Sequence, residues 1–274
     1  MSRFSHLAVL ALGLALLSGC GPSGAHHESA AAPAADPSLA AVQKKGSIVV
    51  GLDDSFPPMG YRDESGAIVG FDIDLAREAA KRLGVKAEFK PVQWNGIIMS
   101  LNKGDIDVIW NGLTITDERR QQIGFSKPYL DNRQIVVVQP GSPITDKASL
   151  AGKTVGLQLG SSSESSLNAS PAVASSLKEV RKYSDNTEAL MDLSAGRIDA
   201  VVVDEVVGRY YISKKPESYR ILDEDFGSES YGVGFRKNDI SLRNAVDKVL
   251  DEMKADGSAD KISDQWFGDE IVKK

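Results

Sequence analysis

The residues best placed to do chemistry are polar groups at the carboxyl ends of apolar runs: Asp53, the stretch Asn111-Gly112-Leu113-Thr114, Gln158 and Asp204. In open α/β sheets, ligands bind beyond those strand ends. Arg119 joins the group from the first turn of a helix expected to start at Thr116. A positive charge there opposes the helix dipole, so something must compensate it. A ligand carboxylate gripped by the guanidinium fork would do so. A surface pairing with Asp117 or Glu118 would serve as well. Asp204 follows the apolar run 198–203 and opens a helix, which is also where an ordinary N-cap sits.

Absences narrow the chemistry. The three histidines (His6, His26, His27) and the single cysteine (Cys20) all precede residue 28. From about residue 45 onward, Ser–His and Cys–His catalysis lack their parts and a transition metal lacks its usual ligands. Asp72 and Asp74 have the spacing of a metal pair, yet an N-cap at Asp72 and first-turn complementarity to the dipole account for both. No metal and no cofactor are expected. No Gly-rich Walker loop is present, so the chain should not bind ATP. The formal charge of −6 argues against nucleic acid, which needs a basic face. With 42% hydrophobic residues the chain can bury a sizeable core, as one large domain or two of roughly 100 residues.

The elements that must position these groups follow from patterning. Strands are expected at 47–52, 86–91, 106–110, 134–138, 154–157, 198–203 and 231–236. Helices are expected at 72–83, with Leu75, Ala79 and Leu83 on one face and Gly84 closing it, and at 95–102. Further helices are expected from 116 and at 162–168, 187–195, 205–213, 241–254 and 259–266. Alternating strand and helix implies a mostly parallel α/β arrangement with helices on both faces. The segment 101–107 resembles 193–199, and 50–53 resembles 155–158, as two similar α/β lobes would require. Two lobes offering polar strand ends to one crevice describe a hinged clamp on a small polar molecule.

The amino terminus carries its own message. Arg3, an apolar run over 7–17 too short to span a bilayer, and Leu17-Ser18-Gly19-Cys20 resemble the signal peptide and lipobox of bacterial lipoproteins. That resemblance implies cleavage after residue 19 and lipidation of Cys20. Losing Arg3 takes the charge to −7, and 255 residues remain. Residues 20–44, rich in Ala, Ser, Gly and Pro, read as a flexible tether, with the fold starting near Lys45.

A wider resemblance rests on longer motifs. They are Gly51-Leu52-Asp53-Asp54-Ser55-Phe56-Pro57-Pro58, Gly70-Phe71-Asp72-Ile73-Asp74-Leu75, Gly112-Leu113-Thr114-Ile115-Thr116-Asp117-Glu118-Arg119, Phe125-Ser126-Lys127-Pro128-Tyr129, Gly160-Ser161-Ser162, Gly196-Arg197-Ile198-Asp199-Ala200, Asp204 and Gly232-Val233-Gly234-Phe235-Arg236. In order and spacing, from about residue 46 to 267, the chain resembles solute-binding protein family 3, the polar amino-acid-binding proteins of ABC importers. The resemblance implies a two-lobed periplasmic-binding-protein fold of type II. Lobe one would comprise 45–132 plus 232–274 and lobe two 136–228, with hinge strands near 132–135 and 229–231.

It also implies roles. Arg119 would bind the ligand α-carboxylate, with Ser162 completing that site from lobe two. Asp204 would bind the α-ammonium, helped by the Gly112 carbonyl and the Thr114 hydroxyl. Phe56 and Trp94 would put rings around the ligand side chain, while Asp53, Asn111 and Gln158 would line the crevice. Trp110 is expected to pack rather than touch ligand. Asp53 between two rings favours Arg or Lys through charge and cation–π attraction, with Gln or cystine still open. The protein would then be a monomeric, lipid-anchored, non-enzymatic receptor outside the cytoplasmic membrane, delivering its amino acid to a permease. Two rival readings remain: a cyclohexadienyl dehydratase-like enzyme on the same fold, against which Asp204 argues, and a ligand-presenting sensory module.

Overall fold

The computed structural model describes residues 36–273. The expected signal peptide, Cys20 and most of the expected tether lie outside the described residues. The tether does not extend to residue 44. α1 (Ser38–Lys45) is a packed helix with Val42 buried and Leu39 against the core. Its entry is fastened from far away in sequence. The Asp36 carboxylate accepts the Ser241 N–H at 2.7 Å, and the Ser38 hydroxyl accepts the Leu242 N–H at 3.1 Å. Gly46, at φ 78°, closes the helix.

β1 (Ser47–Leu52) leads into a small antiparallel sheet of β2 (Ser55–Phe56), β3 (Gly60–Arg62) and β4 (Ile68–Val69). α2 (Phe71–Arg82) is capped by Gly70, not by Asp72 as the sequence implied. Gly70 has φ 145°, and a Cβ there would lie 2.2 Å from the Met59 carbonyl oxygen, so only glycine fits this entry. Asp72 becomes the second helical residue and is fully buried. The core face of α2 includes Phe71, Leu75 and Ala79, and burial of Phe71 and of Leu75 contributes about 1.5–3 kcal/mol each.

β5 (Lys86–Pro91) is followed by a 3₁₀ turn at Trp94–Gly96 and then α3 (Ile97–Lys103), where one continuous helix from 95 was expected. Next come β6 (Val108–Ile109), α4 (Asp117–Gln122), β7 (Gly124–Phe125) and the long β8 (Leu130–Val138). The second half contains β9 (Thr154–Gln158), α5 (Ser162–Asn168), α6 (Pro171–Ala174), β10 (Glu179–Tyr183), α7 (Asn186–Ser194), β11 (Ala200–Asp204) and α8 (Glu205–Lys214). The long β12 (Arg220–Tyr231) leads to β13 (Gly234–Phe235), α9 (Ile240–Ala255) and α10 (Ser258–Phe267).

Two five-stranded sheets result, ordered β5-β1-β6-β13-β7 and β10-β9-β11-β8-β12. β1 runs parallel to β5 and β6, and β9 runs parallel to β10 and β11. The first sheet and its helices form one lobe, and the second sheet with α5–α8 forms the other. β8 and β12 pair antiparallel from Arg220↔Val138 to Tyr231↔Leu130, with register shifts around Asp225. These strands carry the chain out of the first lobe and back. No helix among the described residues is long and apolar enough to cross a membrane.

Candidate functional site

Strand register assembles the centre of the site. On adjacent strands of the second sheet, Gln134 of β8 faces Asp204 of β11, and Asn132 of β8 faces Glu229 of β12. Asn132 and Gln134 are two residues apart, so they share a face of the strand. Their amides point at both carboxylates. Asn132 Nδ2 donates to Asp204 Oδ1 at 2.8 Å and to Glu229 Oε1 at 2.7 Å. Gln134 Nε2 donates to the same atoms at 2.9 and 2.8 Å. The Ser163 hydroxyl donates to Gln134 Oε1, which fixes the amide in this orientation. The Tyr231 hydroxyl adds a third donor to Asp204 at 2.7 Å. Burial, reinforced by Glu229, pushes the Asp204 carboxyl well above the usual carboxylate range. Asp204 occupies the N-cap position of α8 but makes no capping bond, so its side chain is committed to this cluster.

Hydroxyls from the two lobes meet beside it. Thr114 Oγ1 of the first lobe lies 2.9 Å from Ser162 Oγ of the second and donates to Glu229 Oε1 at 2.8 Å. Arg119 also bridges the seam. Its Nη1 donates to the Thr114 carbonyl at 3.0 Å and its Nη2 to the Gly160 carbonyl at 3.2 Å. The Arg119 backbone N–H is capped by the Thr116 hydroxyl at 3.1 Å, which sets the first turn of α4 and aims the guanidinium inward. Only 8% of Arg119 is exposed, and burial pulls its guanidinium below its ordinary value. The Trp94 ring stacks over it with the guanidinium carbon 5.7 Å from the ring centre.

The other end of the seam is acidic. Gln158 Nε2 of the second lobe donates to Asp53 Oδ2 of the first at 2.6 Å. Asp53 Oδ1 accepts both the N–H and the hydroxyl of Ser55, and burial raises its carboxyl. A cavity of about 290 Å³ lies between Asp53, Asp54, Trp94 and Asp185. On the other side of Trp94 a cavity of about 770 Å³ runs past Arg119, Gly160 and Glu164. Further seam contacts are the Thr187 hydroxyl to the Ser55 carbonyl at 3.4 Å and the rings of Tyr61 and Tyr210, with centres 5.7 Å apart.

The candidate residues thus fall into three sets. Thr114, Ser162 and Asp204 converge in one cluster, while Arg119 and Trp94 stack together and Asp53 meets Gln158. Asn111, Gly112 and Phe56 stand behind them. Asn111 Oδ1 accepts the Asp53 N–H at 3.1 Å, and Gly112 N–H donates to Asp72 Oδ2 at 2.6 Å. Phe56 is buried in the core, and a Cβ on Gly112 would sit 2.8 Å from its ring. Trp110 is buried, with its ring centre 6.2 Å from that of Tyr129. Asp72 faces the Gly112 loop and Tyr129, whereas Asp74 accepts from Arg77 and Trp266, so the two face different partners. Among the described residues no group of three or more His, Cys, Asp or Glu is placed to hold a metal ion.

Sequence reasoning missed Asn132, Gln134 and Glu229. The sequence held little signal: 131–134 is a continuous polar run at the start of β8, and only the structure shows that its alternate members Asn132 and Gln134 are the buried ones.

Comparison with known proteins adds an independent line. The profile of the bacterial extracellular solute-binding proteins, family 3, matches residues 48–269. The chain is 35% identical over 234 residues to the L-cystine-binding protein TcyJ of Escherichia coli (strain K12), covering 85% of this chain and 86% of that protein. Among solved structures it is similar to an ABC uptake transporter substrate-binding protein from Streptococcus pneumoniae with bound histidine. That match has a TM-score of 0.83 and 35% identity, over 86% of this chain and 98% of that one. It is also similar to an ancestral arginine-binding protein bound to arginine. Here the TM-score is 0.77 and the identity 44%, over 81% of this chain and 99% of the other.

Proposed function

Because the chain belongs to the bacterial extracellular solute-binding proteins, family 3, we propose that it captures a polar L-amino acid between its two lobes and delivers it to the permease of an ABC importer. One observation carries the reading: polar groups from both lobes meet across the seam, Thr114 with Ser162, Arg119 with Gly160, and Asp53 with Gln158. A ligand that bridges them favours the closed arrangement by binding it better than the open one. Arg119 takes the α-carboxylate with the Ser162 hydroxyl, and Asp204 takes the α-ammonium with the Gly112 carbonyl and Thr114. Asp53, Gln158 and Trp94 then surround the side chain, and Asn111 and Phe56 support them from behind. Arg or Lys is the preferred class, because Asp53 opens on an acidic cavity shared with Asp54 and Asp185. Gln and cystine follow.

The lobes hinge where β8 and β12 cross, near 132–135 and 229–231. Residues 1–19 act as a signal peptide, and Cys20 carries a lipid that keeps the protein on the outer side of the cytoplasmic membrane. The protein works as a monomer and performs no catalysis.

The test is a thermal-shift panel on ligand-stripped protein against the amino acids, ornithine, cystine and prephenate. A ligand at 100 times its dissociation constant adds about 2.7 kcal/mol. Stabilisation by one class of polar amino acid supports the reading and names the ligand. Silence toward every amino acid, with turnover of prephenate, replaces it with the dehydratase-like enzyme.

A further inference from the structure

Glu229 has no part in the assignments above, yet it is the most heavily bonded acceptor in the seam. Thr114 Oγ1, Asn132 Nδ2 and Gln134 Nε2 all lie within 2.8 Å of its Oε1, and Ser162 Oγ is at 3.4 Å. It sits on the crossing strand β12, so its carboxyl reaches groups of both lobes at once. Two of its donors are the same two amide nitrogens that serve Asp204. Sharing both nitrogens sets the two carboxyl groups side by side.

Every donor to the pair is neutral. The ionisable groups that face it are Arg119 from α4, Tyr231 on β12, and Tyr129 and Glu118 behind these. Arg119, the only cation of the four, donates to two backbone carbonyls instead of to either carboxylate. Asn132 Oδ1 is also buried without a hydrogen-bond partner. Two adjacent carboxyl groups cannot both ionise cheaply in a buried place without a counter-cation.

We infer that Glu229 is a specificity-determining residue: with Asp204 it forms a carboxylate pair that holds one proton when no ligand is bound and receives the ligand's protonated primary amine in that proton's place. The inference rests on the amino-acid-binding reading and deepens it. A neutral amide or hydroxyl at the α position cannot supply the missing charge. Nα-acylated and α-hydroxy analogues are therefore rejected at this end of the cleft, whatever their side chain. The step balances. The ligand enters as an ammonium, the shared proton leaves to solvent, and both carboxylates end ionised beside the cation.

Calorimetry of the wild-type protein with L-arginine tests this near neutral pH, in two buffers of different ionisation enthalpy. The panel's best amino acid replaces arginine if the two differ. Wild type is expected to release up to one proton per ligand bound. Glu229→Gln is expected to release far less and to bind about 10–100-fold more weakly, with its melting temperature held. Nα-acetyl-L-arginine is expected not to bind the wild type. Amino-acid binding by wild type without proton release overturns the inference and leaves the proposed function standing, and that outcome needs no variant to fold. A Glu229→Gln protein that matches wild type in both proton count and affinity overturns it equally. Failure of the wild type to bind any amino acid overturns the proposed function, and the inference with it.

Discussion

Two aspartates in this molecule are buried almost to the same degree, Asp72 at 0% exposure and Asp204 at 4%, and they do opposite work. Each lies at the start of a helix and each accepts a tyrosine hydroxyl, Tyr129 at 2.8 Å and Tyr231 at 2.7 Å. The two tyrosine rings are themselves neighbours, 6.4 Å apart. Burial raises both carboxyls. The difference lies in what completes the shell. Asp72 takes its donors on Oδ2 alone, from Tyr129 and from the Gly112 N–H of its own lobe, and so props the 111–114 loop from behind, while its Oδ1 is buried without a partner. Asp204 shares its donors with a second carboxyl and stands where Thr114 and Ser162 meet from opposite lobes. A buried, perturbed carboxyl alone therefore marks a load on the fold. The proposed binding role of Asp204 rests instead on an unbalanced charge placed on the seam between the lobes.

Substitutions should separate the two roles, beginning with the largest effect. Asp204→Asn keeps the acceptor for Tyr231 but removes the charge, so amino-acid affinity should fall by about 100–1,000-fold, read by calorimetry, with little change in the melting temperature. If stability falls instead and affinity holds, the two aspartates are alike and the contrast fails. Asp72→Ala should do the reverse. It strands the Gly112 N–H and the Tyr129 hydroxyl in the core, at a cost of about 2–4 kcal/mol in denaturant unfolding.

Gly112→Ala probes the link between the two environments. Gly112 sits at φ 57°, and a Cβ would press to 2.8 Å from Phe56. About 2 kcal/mol of stability should be lost, together with affinity, because the loop carries Thr114. The smallest effect, per pH unit, is in the pH profile. Burial pushes Asp72 up to about 7, so the folded protein keeps a proton that the unfolded chain gives up near pH 4. That contribution to stability is complete below about pH 4 and is lost as pH rises to about 7, with a slope of at most ~1.4 kcal/mol per pH unit. Asp72→Asn should flatten this decline with or without ligand. Asp204 shifts in the same direction, but its share should vanish when arginine is bound, which sharpens the contrast further.

Local pattern carried much of the fold. Apolar runs marked β1, β9 and β11, and the glycines after α3 and α7 marked equivalent joints: Gly104 and Gly196 both take left-handed φ values, 85° and 69°. The sheet β2-β3-β4 escaped notice because its strands are two or three residues long, too short for any period to register. α1 escaped because its fastening, Asp36 to Ser241, spans 205 positions. The site divided along the same line. Arg119, Asp53 and Asp204 were legible from their places at strand ends and helix starts. Glu229 was not, since nothing near it in sequence is unusual. It gains meaning only when β12 pairs with β8 and sets it opposite Asn132, 97 residues away. Asp72 was misjudged as a cap because the tight Gly70 entry, which starts the helix two residues earlier, depends on the distant Met59 carbonyl.

The docking of α1 against α9 decides how the molecule meets force. Whatever holds the chain upstream of Asp36 pulls on the lobe built around β1, and the polar clasp at Ser38 and Ser241 passes that pull into α9. The chain links the second lobe to this frame only through β8 and β12, the remaining contacts between them being the side-chain meetings of the seam. If the proposed anchor at the amino end holds, the first lobe would be the stator and the second the swinging jaw, and each capture would move the part that bears no load.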